Sequence, residues 1–171
     1  MSDYVVRAAR PGDLHAINAI YDHEVVTGIA TFDTEPMSLE RRRAWLAAHG
    51  TAAHPAIVAT AGDQVLGWAC LSPWSDRCAY ARAAEVSVYI DAAHRRRGAG
   101  RALLAELIRR GRQAGLGVLL ARIAVDPGGE PAASLALHEA LGFRRFGTMR
   151  RVGEKFGRIL DVELLDLHLD E

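Results

Sequence analysis

The sequence predicts a mixed α/β (α+β) fold, in which a central β-sheet carries helices on both faces. Residues 85–90 alternate in polarity and are rich in β-formers, and residues 118–125 form another strand candidate. Between them, residues 100–113 repeat Leu and Ile at helical spacing. Strand and helix candidates are mixed along the 171 residues, without repeats or low-complexity tracts. We therefore expect one domain that spans residues 1–171.

The first half of the chain begins with a strand and two helices. Residues 4–7 form a strand candidate, and the turn at residues 11–13 places Asp13 where it can cap a following helix. Ser38 is predicted to begin a second helix whose arginines lie on its outer side. Two apolar runs then flank the turn at residues 61–64, a pattern typical of a hairpin. Those strand candidates cover residues 56–60 and 65–71.

The second half alternates strands with helices. Gly115 is a natural stop for the helix predicted over residues 100–113. Pro131 suits the first turn of another helix, and Gly142 suits its C-terminal end. The remaining strand candidates lie at residues 118–125, 143–152 and 159–169.

Charge and cysteine content exclude several classes of protein. Lys plus Arg and Asp plus Glu each count 21, so no net positive field attracts nucleic acid or an anionic membrane. Cys70 and Cys78 lack a metal-ligand spacing, and we predict two reduced thiols and no metal site. No signal-like stretch is visible, and no apolar run approaches the ~18 residues of a membrane span. We therefore expect a cytoplasmic protein.

A basic segment with two glycines, residues 95–101, lies between a predicted strand and a predicted helix. The first amides of a helix have no internal partners and, together with the helix dipole, they attract anions. Gly98 and Gly100 would let a phosphate approach without a Cβ in the way. The segment lacks the Gly-Lys-Ser/Thr end of a Walker loop and, at Leu103, the third glycine of a dinucleotide motif. It is interpreted either as an anion site or as a solvated basic turn.

The pattern Arg95-x-x-Gly98-x-Gly100 after a strand resembles the coenzyme A pyrophosphate loop of the GNAT acetyltransferase superfamily. Three other motifs occur in the matching order and resemble the phosphinothricin and methionine sulfone/sulfoximine acetyltransferase subgroup. The resemblance covers most of the chain between residues 67 and 167. It implies a GNAT fold, with a mixed sheet whose fourth and fifth strands splay apart. The three motifs are EVSVYI at 85–90, SLALHEALGF at 134–143 and VGEKFG at 152–157.

The resemblance implies that acetyl-CoA is the cofactor. In GNAT enzymes the pantetheine arm fills the gap between the splayed strands by pairing with strand backbone, and the pyrophosphate lies on the glycine-containing loop. The residues expected to contact acetyl-CoA are Val88, Tyr89, Ile90, Arg95, Arg96, Arg97, Gly98, Ala99, Gly100, Arg101 and Ser134.

Acetyl transfer to an amine requires that the amine lose a proton, because an ammonium has no lone pair with which to attack. The resemblance assigns the general base to Glu85, directly or through a water, and oxyanion stabilisation to a backbone N–H at or near Val88. It places His138 where many family members have a tyrosine that donates a proton to the leaving thiolate. Structural roles stay open: Glu85 in an ion pair, for instance with Arg82, and His138 as a packing residue.

The resemblance also implies a small, amino-acid-like amine as the acceptor, of the phosphinothricin, methionine sulfone or methionine sulfoximine type. It places the acceptor loop at residues 73–80, where Arg77 is either a bidentate ligand for a carboxylate or a solvated loop charge. The expected acceptor-binding residues are Thr31, Phe32, Trp74, Ser75, Arg77 and Tyr80.

The chain departs from the subgroup at three places. Residues 82–83 are Arg-Ala where the subgroup commonly has Trp-Thr, Ile159 replaces Trp, and Pro131 replaces an Asn that contacts the cofactor. The identity of the acceptor therefore stays open. Acetylation of a protein N-terminus, lysine or polyamine is an alternative, as is a non-catalytic coenzyme A-binding module, against which Glu85 and His138 together argue. Subgroup members are typically homodimers, so the resemblance implies a homodimer.

Overall fold

The computed structural model describes residues 4–129 and 132–170. Within those ranges it has seven strands in one sheet and four α-helices. In chain order the elements are β1 (Val5–Ala8), α1 (Leu14–Thr27), α2 (Leu39–Ala48), β2 (Ala56–Ala61), β3 (Gln64–Pro73), β4 (Ala83–Ile90), α3 (Ala99–Gln113), β5 (Val118–Val125), α4 (Ala133–Glu139), β6 (Arg144–Lys155) and β7 (Arg158–His168).

The strand order across the sheet is β1-β2-β3-β4-β5-β7-β6. All neighbours pair antiparallel except β4 and β5, which are parallel. The mixed sheet predicted from the sequence is therefore confirmed. No helix in the described parts of the chain is both long enough and apolar enough to cross a membrane.

Helices cover both faces of the sheet, as predicted. On one face, α3 buries Leu103, Leu104 and Leu107 completely against the sheet, because their spacing places them on one stripe of the helix. On the other face, α1 packs through residues such as Ile17 against strand residues such as Trp68. The helix predicted to begin at Pro131 is α4; Pro131 lies outside the described residues, and α4 begins at Ala133.

Ser38 begins α2 as predicted, since its hydroxyl accepts a hydrogen bond from the backbone N–H of Arg41 at 3.3 Å. The prediction that the arginines of α2 face solvent is wrong for Arg42, which is 1% exposed. Its Nε donates to Asn18 Oδ1 at 3.0 Å, and its guanidinium lies 4.8 Å from the ring centroid of Tyr21. Aromatic faces thus replace water around this cation, and burial lowers its pKa.

The predicted cap of α1 is also wrong in its contacts. Asp13 precedes α1, but its carboxylate does not cap the helix. It accepts hydrogen bonds from the guanidinium of Arg7 at 2.7 and 2.8 Å and from the backbone N–H of Arg10 at 2.8 Å. Asp13 therefore fastens β1 to the start of α1.

Strands β4 and β5 pair at one end only. Their register joins Ala83, Ala84 and Glu85 of β4 to residues 118–120 of β5, and it stops there. The other edge of β4 stays paired with β3 as far as Ile90. The predicted splay between the fourth and fifth strands is confirmed. Residues 86–90 consequently present one backbone edge that no strand of the described chain covers.

Candidate active site

Glu85 lies where β4 and β5 separate. Its carboxylate accepts two hydrogen bonds from Arg122 of β5, from Nε to Oε1 at 2.7 Å and from Nη2 to Oε2 at 2.5 Å. These bonds raise the pKa of Arg122. The partner considered from the sequence, Arg82, instead bonds Asp170 at 2.5 Å. Glu85 is therefore in an ion pair, as one interpretation of the sequence expected, but with a different arginine.

The side chain of Glu85 shares a face of the sheet with α1. Side chains alternate along a strand, so Glu85 and Tyr89 project to the same side, and the Tyr89 ring packs 5.1 Å from the ring of Tyr21 in α1. The Tyr89 hydroxyl donates to the carbonyl oxygen of Ala30 at 3.3 Å. The loop after α1 therefore borders the same face of the sheet as Glu85.

Thr31 and Phe32 lie in that loop, but they differ in exposure. Thr31 is buried, and its hydroxyl lies 2.8 Å from the Tyr21 hydroxyl. Phe32 is 41% exposed, and its ring lies so close to Gly153 of β6 that a Cβ there would clash with it. Phe32 thus offers an accessible ring to a ligand, whereas Thr31 shapes the loop from inside.

The predicted acceptor loop, residues 73–80, comprises the last residue of β3 and most of the β3–β4 connection. The guanidinium of Arg122 lies 5.5 Å from the ring centroid of Trp74. Trp74 therefore lies next to the Glu85–Arg122 ion pair. The Ser75 hydroxyl accepts a hydrogen bond from the backbone N–H of Arg77 at 3.3 Å. Arg77 is exposed and Tyr80 is 46% exposed, both on the outer part of the loop.

The segment at residues 95–101 has the backbone shape of an anion site. Arg96 and Gly98 both have positive φ, 61° and 89°, and such turns direct consecutive N–H groups toward one point. The amides of residues 99–101 precede the first helical hydrogen bond of α3, which Ala102 donates to Gly98 at 3.1 Å. The side chains of Arg96, Arg97 and Arg101 are exposed.

Arg95, the first residue of this segment, forms an ion pair with Glu24 of α1. Glu24 is buried beside the C-terminal end of α1, so the pair fastens the glycine-containing segment to that helix. The segment and the last part of α1 are thereby joined through one carboxylate.

His138 lies on α4 and is 3% exposed. Its Nδ1 lies 2.8 Å from the carbonyl oxygen of Ser134, and because a carbonyl oxygen can only accept, Nδ1 is the donor. Its Nε2 is buried and has no hydrogen-bond partner among the described residues. The ring packs edge-on against Phe143 at 5.0 Å, and burial lowers the pKa of the imidazole. The Ser134 hydroxyl also lies near Nδ1, at 3.3 Å.

Two cavities lined by described residues contain neither Glu85 nor Arg122 in their walls. A cavity of about 720 Å³ opens between α1, α2 and the ends of β1 and β2, and none of the predicted site residues lines it. A cavity of about 410 Å³ is lined by Lys155 and Phe156 of the β6–β7 hairpin and by Thr34 of the loop after α1.

Three residues that sequence reasoning missed help to build the site. Arg122 pairs with Glu85, Glu24 pairs with Arg95, and buried Lys155 donates to backbone carbonyls at the end of α1 and in the following loop. A charged side chain inside the apolar run at 118–125 was a signal for Arg122. Lys155 lay inside a motif already singled out, but the sequence did not show that its side chain turns inward.

Comparison with known proteins agrees with this arrangement. The model of the acetyltransferase (GNAT) family matches residues 17–143. An L-methionine sulfoximine/L-methionine sulfone acetyltransferase of Pseudomonas paraeruginosa is 39% identical over 166 residues, which cover 96% of this chain and 94% of the relative.

Two solved structures are similar over nearly the whole chain. A GNAT superfamily phosphinothricin acetyltransferase from Sinorhizobium meliloti, in complex with acetyl-CoA, has a TM-score of 0.91 at 34% identity and covers 99% of this chain and 89% of its own. A ribosomal-protein-alanine N-acetyltransferase from Brucella melitensis has a TM-score of 0.89 at 38% identity and covers 96% of this chain and 99% of its own. The splayed sheet, the glycine-containing segment and the family match together show that this chain belongs to the GNAT acetyltransferase family.

Proposed function

We propose that this protein transfers the acetyl group of acetyl-CoA to the amino group of a small, amino-acid-like molecule. The observation that carries the proposal is the position of Glu85, a carboxylate held at the point where β4 and β5 part. The uncovered edge of β4 begins at that point, and the chain continues from its other end to the N-terminus of α3, so the proposed base and the proposed anion site lie near opposite ends of this edge. Relatives that act on methionine sulfone and phosphinothricin support the choice of acceptor.

The described residues fit acetyl-CoA. The uncovered backbone at Val88, Tyr89 and Ile90 suits an amide-containing arm, because it offers unpaired hydrogen-bonding groups. The amides at the start of α3 suit a pyrophosphate. The other residues proposed for cofactor binding are Arg95, Arg96, Arg97, Gly98, Ala99, Gly100, Arg101 and Ser134.

When bound, acetyl-CoA supplies an activated acetyl thioester: the new C–N bond forms at its carbonyl carbon, and the C–S bond breaks. Glu85 accepts the proton that the acceptor's ammonium must lose, directly or through a water. A backbone N–H at or near Val88 donates to the carbonyl oxygen as negative charge develops there. Before the acceptor binds, Arg122 holds the Glu85 carboxylate in one orientation through its two hydrogen bonds.

His138 is proposed to act on the sulfur side through Nε2. With Nδ1 committed to the Ser134 carbonyl, Nε2 is the nitrogen left to exchange a proton with the leaving thiolate. Because burial lowers the pKa of His138, the imidazolium that donates from Nε2 is a minor species at neutral pH. The contribution of this residue therefore grows as the pH falls.

The acceptor is proposed to bind on the face of the sheet that carries Glu85, between the loop after α1 and the β3–β4 loop. Phe32 and Trp74 supply aromatic surface there, and the β3–β4 loop supplies polar groups. The residues proposed to bind or shape the acceptor site are Thr31, Phe32, Trp74, Ser75, Arg77 and Tyr80.

We also propose that the protein is a cytoplasmic homodimer. Exposed large apolar side chains gather on the outer strands β6 and β7, which suits contact with a second copy. These side chains are Phe146, Val152 and Ile159, with Phe156 in the turn between the strands. A cytoplasmic location suits an enzyme that draws on the cellular acetyl-CoA pool. Light scattering of the purified protein would test the dimer.

A thiol-release assay with acetyl-CoA and a panel of amines tests the proposed activity. The panel contains methionine sulfone, phosphinothricin, a polyamine and a peptide with an N-terminal alanine. The peptide is included because one similar structure is a ribosomal-protein-alanine N-acetyltransferase. We expect turnover of the two amino-acid analogues. Turnover of the peptide alone would replace the proposed acceptor class, and tight acetyl-CoA binding without turnover of any amine would refute the proposed activity.

A further inference from the structure

The ion pair between Arg122 and Glu85 is the starting point for an inference that rests on the proposed function. The two side chains form a fork, in which parallel hydrogen bonds join the guanidinium to both carboxylate oxygens. The Arg122 side chain is 51% exposed, whereas that of Glu85 is 18% exposed. A ligand approaching this face of the sheet therefore meets the cation together with the base.

The pair has the charge pattern that is complementary to an α-amino acid. In such an acceptor the ammonium and the carboxylate are attached to one carbon, so they reach a protein as adjacent opposite charges. If the nitrogen is to reach Glu85, the carboxylate must lie beside Glu85 as well. The cation that binds this carboxylate must therefore also be a neighbour of Glu85, and a guanidinium binds carboxylates in bidentate geometry.

We propose that Arg122 binds the α-carboxylate of the acceptor and thereby makes the enzyme selective for α-amino acids over simple amines. On binding, the Glu85–Arg122 pair opens and two new pairs replace it, Glu85 with the ammonium and Arg122 with the carboxylate. No charge is left without a partner in this exchange. Arg122 leaves Glu85 only when the acceptor binds. The ammonium of the acceptor then lies beside Glu85 and can donate its proton to the carboxylate.

Two features of the surroundings suit Arg122 to this role. Its guanidinium lies 5.5 Å from the ring centroid of Trp74, and stacking on an aromatic face can hold the cation near the site after Glu85 releases it. The Arg122 side chain is also half exposed, so an incoming carboxylate can reach the guanidinium directly. The neighbouring arginines are engaged elsewhere: Arg82 bonds Asp170, and Arg95 bonds Glu24.

Arg77 is the cation to which the sequence assigned a carboxylate. It lies on the exposed outer part of the β3–β4 loop, and it is Arg122, among the described residues, that hydrogen-bonds Glu85. The geometry therefore favours Arg122 for the carboxylate that shares a carbon with the reacting amine. It leaves Arg77 for a more distant polar group of the acceptor, such as an oxidised phosphorus or sulfur centre.

The test uses two acceptors that differ only in the carboxylate: methionine sulfone and its decarboxylated amine. Both are assayed with the wild type, Arg122→Ala and Arg77→Ala. For Arg122→Ala, kcat/KM with methionine sulfone should fall about tenfold or more, mainly through KM, since a bidentate charge-assisted contact is lost. With the decarboxylated amine the fall in kcat/KM should be at least about threefold smaller than with methionine sulfone. The wild-type preference for the amino acid should thus disappear in this variant.

The matched control is Arg109→Ala on α3. Arg109 also donates two hydrogen bonds to one glutamate, Glu106, both at 2.7 Å, but on the outside of the molecule. This variant should retain the wild-type preference. Acetyl-CoA affinity, measured by calorimetry, should be unchanged in Arg122→Ala and thereby show that this variant is folded.

Three results would overturn the inference. If Arg122→Ala lowers kcat/KM equally with both acceptors, then Arg122 acts only on the base Glu85 and does not bind the carboxylate. If Arg77→Ala loses the preference for methionine sulfone over the decarboxylated amine and Arg122→Ala keeps it, then Arg77 binds the carboxylate. In both cases the wild type still acetylates methionine sulfone, so the proposed function stands. Wild-type turnover of amines or peptides but not of methionine sulfone would instead refute the proposed acceptor, and the inference with it.

Discussion

The ammonium of Lys155 lies 2.9 Å from the carbonyl oxygen of Thr31 and 3.2 Å from that of Glu24. Lys155 ends β6, whereas the two carbonyls belong to α1 and the loop that follows it. Burial lowers the pKa of this lysine, because the ammonium has exchanged water for backbone oxygens. The contact therefore fastens the β6–β7 hairpin to a loop proposed to border the acceptor.

Lys155→Met should loosen that loop. Leaving two carbonyls without their donor should lower the free energy of unfolding by about 1–3 kcal/mol. The KM for the amine acceptor should rise about threefold to tenfold, because the acceptor loses a fixed wall. Urea unfolding and steady-state kinetics measure the two effects. Arg158→Met, at an exposed position in the same hairpin, should change neither. An unaltered KM in Lys155→Met would show that the hairpin does not shape the acceptor site.

Glu85→Gln should remove most of the activity and leave cofactor binding intact. An amide cannot take the proton from the acceptor's ammonium, and loss of a general base typically lowers the rate by about 10²–10⁴-fold. The thiol-release rate and the acetyl-CoA dissociation constant are the measurements. Glu106→Gln is the control, since Glu106 also pairs with an arginine but lies on α3 away from the Glu85–Arg122 ion pair. Undiminished turnover in Glu85→Gln would withdraw the assignment of the base.

Gly98→Ala should weaken acetyl-CoA binding by about tenfold. The φ of Gly98 is 89°, and an L-residue there is strained by about 1–2 kcal/mol, which would shift the amides at the start of α3. Calorimetry with acetyl-CoA measures the effect. Gly62→Ala is a matched control, because Gly62 also has a positive φ, 56°, but lies in the β2–β3 turn. If both variants bind acetyl-CoA as the wild type does, this segment does not hold the pyrophosphate.

His138→Gln should lower kcat by about tenfold, and the ratio of wild-type to variant rate should grow as the pH falls from about 8 to about 6. Burial lowers the pKa of His138, so the fraction able to donate from Nε2 increases toward acid pH. Single-turnover rates over this range, taken well below the unfolding temperature of the variant, measure the ratio. A ratio that is independent of pH would mean that His138 serves packing against Phe143.

Asp13→Asn should destabilise the protein by about 1–3 kcal/mol at neutral pH, since Asp13 is buried and hydrogen-bonded to Arg7. The Arg7 guanidinium holds the pKa of Asp13 below its ordinary value of 3.8. A carboxyl with a lowered pKa stabilises the fold above its unfolded pKa, and that stability is lost as the pH falls through the folded pKa.

The difference between wild type and Asp13→Asn in urea unfolding should therefore shrink below about pH 3.8, the ordinary value for this carboxyl. Glu139→Gln removes the exposed pair with Arg145 and should have little effect at any pH. A difference that persists unchanged into acid would mean that the ion pair is not what makes Asp13 stabilising.

Helices and strands were predictable where a local pattern decides them. The leucines of α3 repeat at helical spacing, and α3 spans Ala99–Gln113 against a predicted 100–113. Strand β5 has the predicted bounds, Val118–Val125, because a short apolar run between turns has few other ways to bury its side chains. The prediction of contacts failed where an isolated residue had a choice of partners. Asp13, for example, bonds Arg7 rather than capping α1.

By itself, the sequence determined the order of the elements, the glycine-containing segment before α3 and the carboxylate at the start of a central strand, since each depends on residues close together in the chain. Tertiary structure decided which charges meet. Arg122 bonds Glu85 from 37 positions away because the β4–β5 register brings them together, and Arg42 is buried because α2 packs its cation among aromatic rings. Such pairings depend on register and packing between distant segments, which local propensity does not encode.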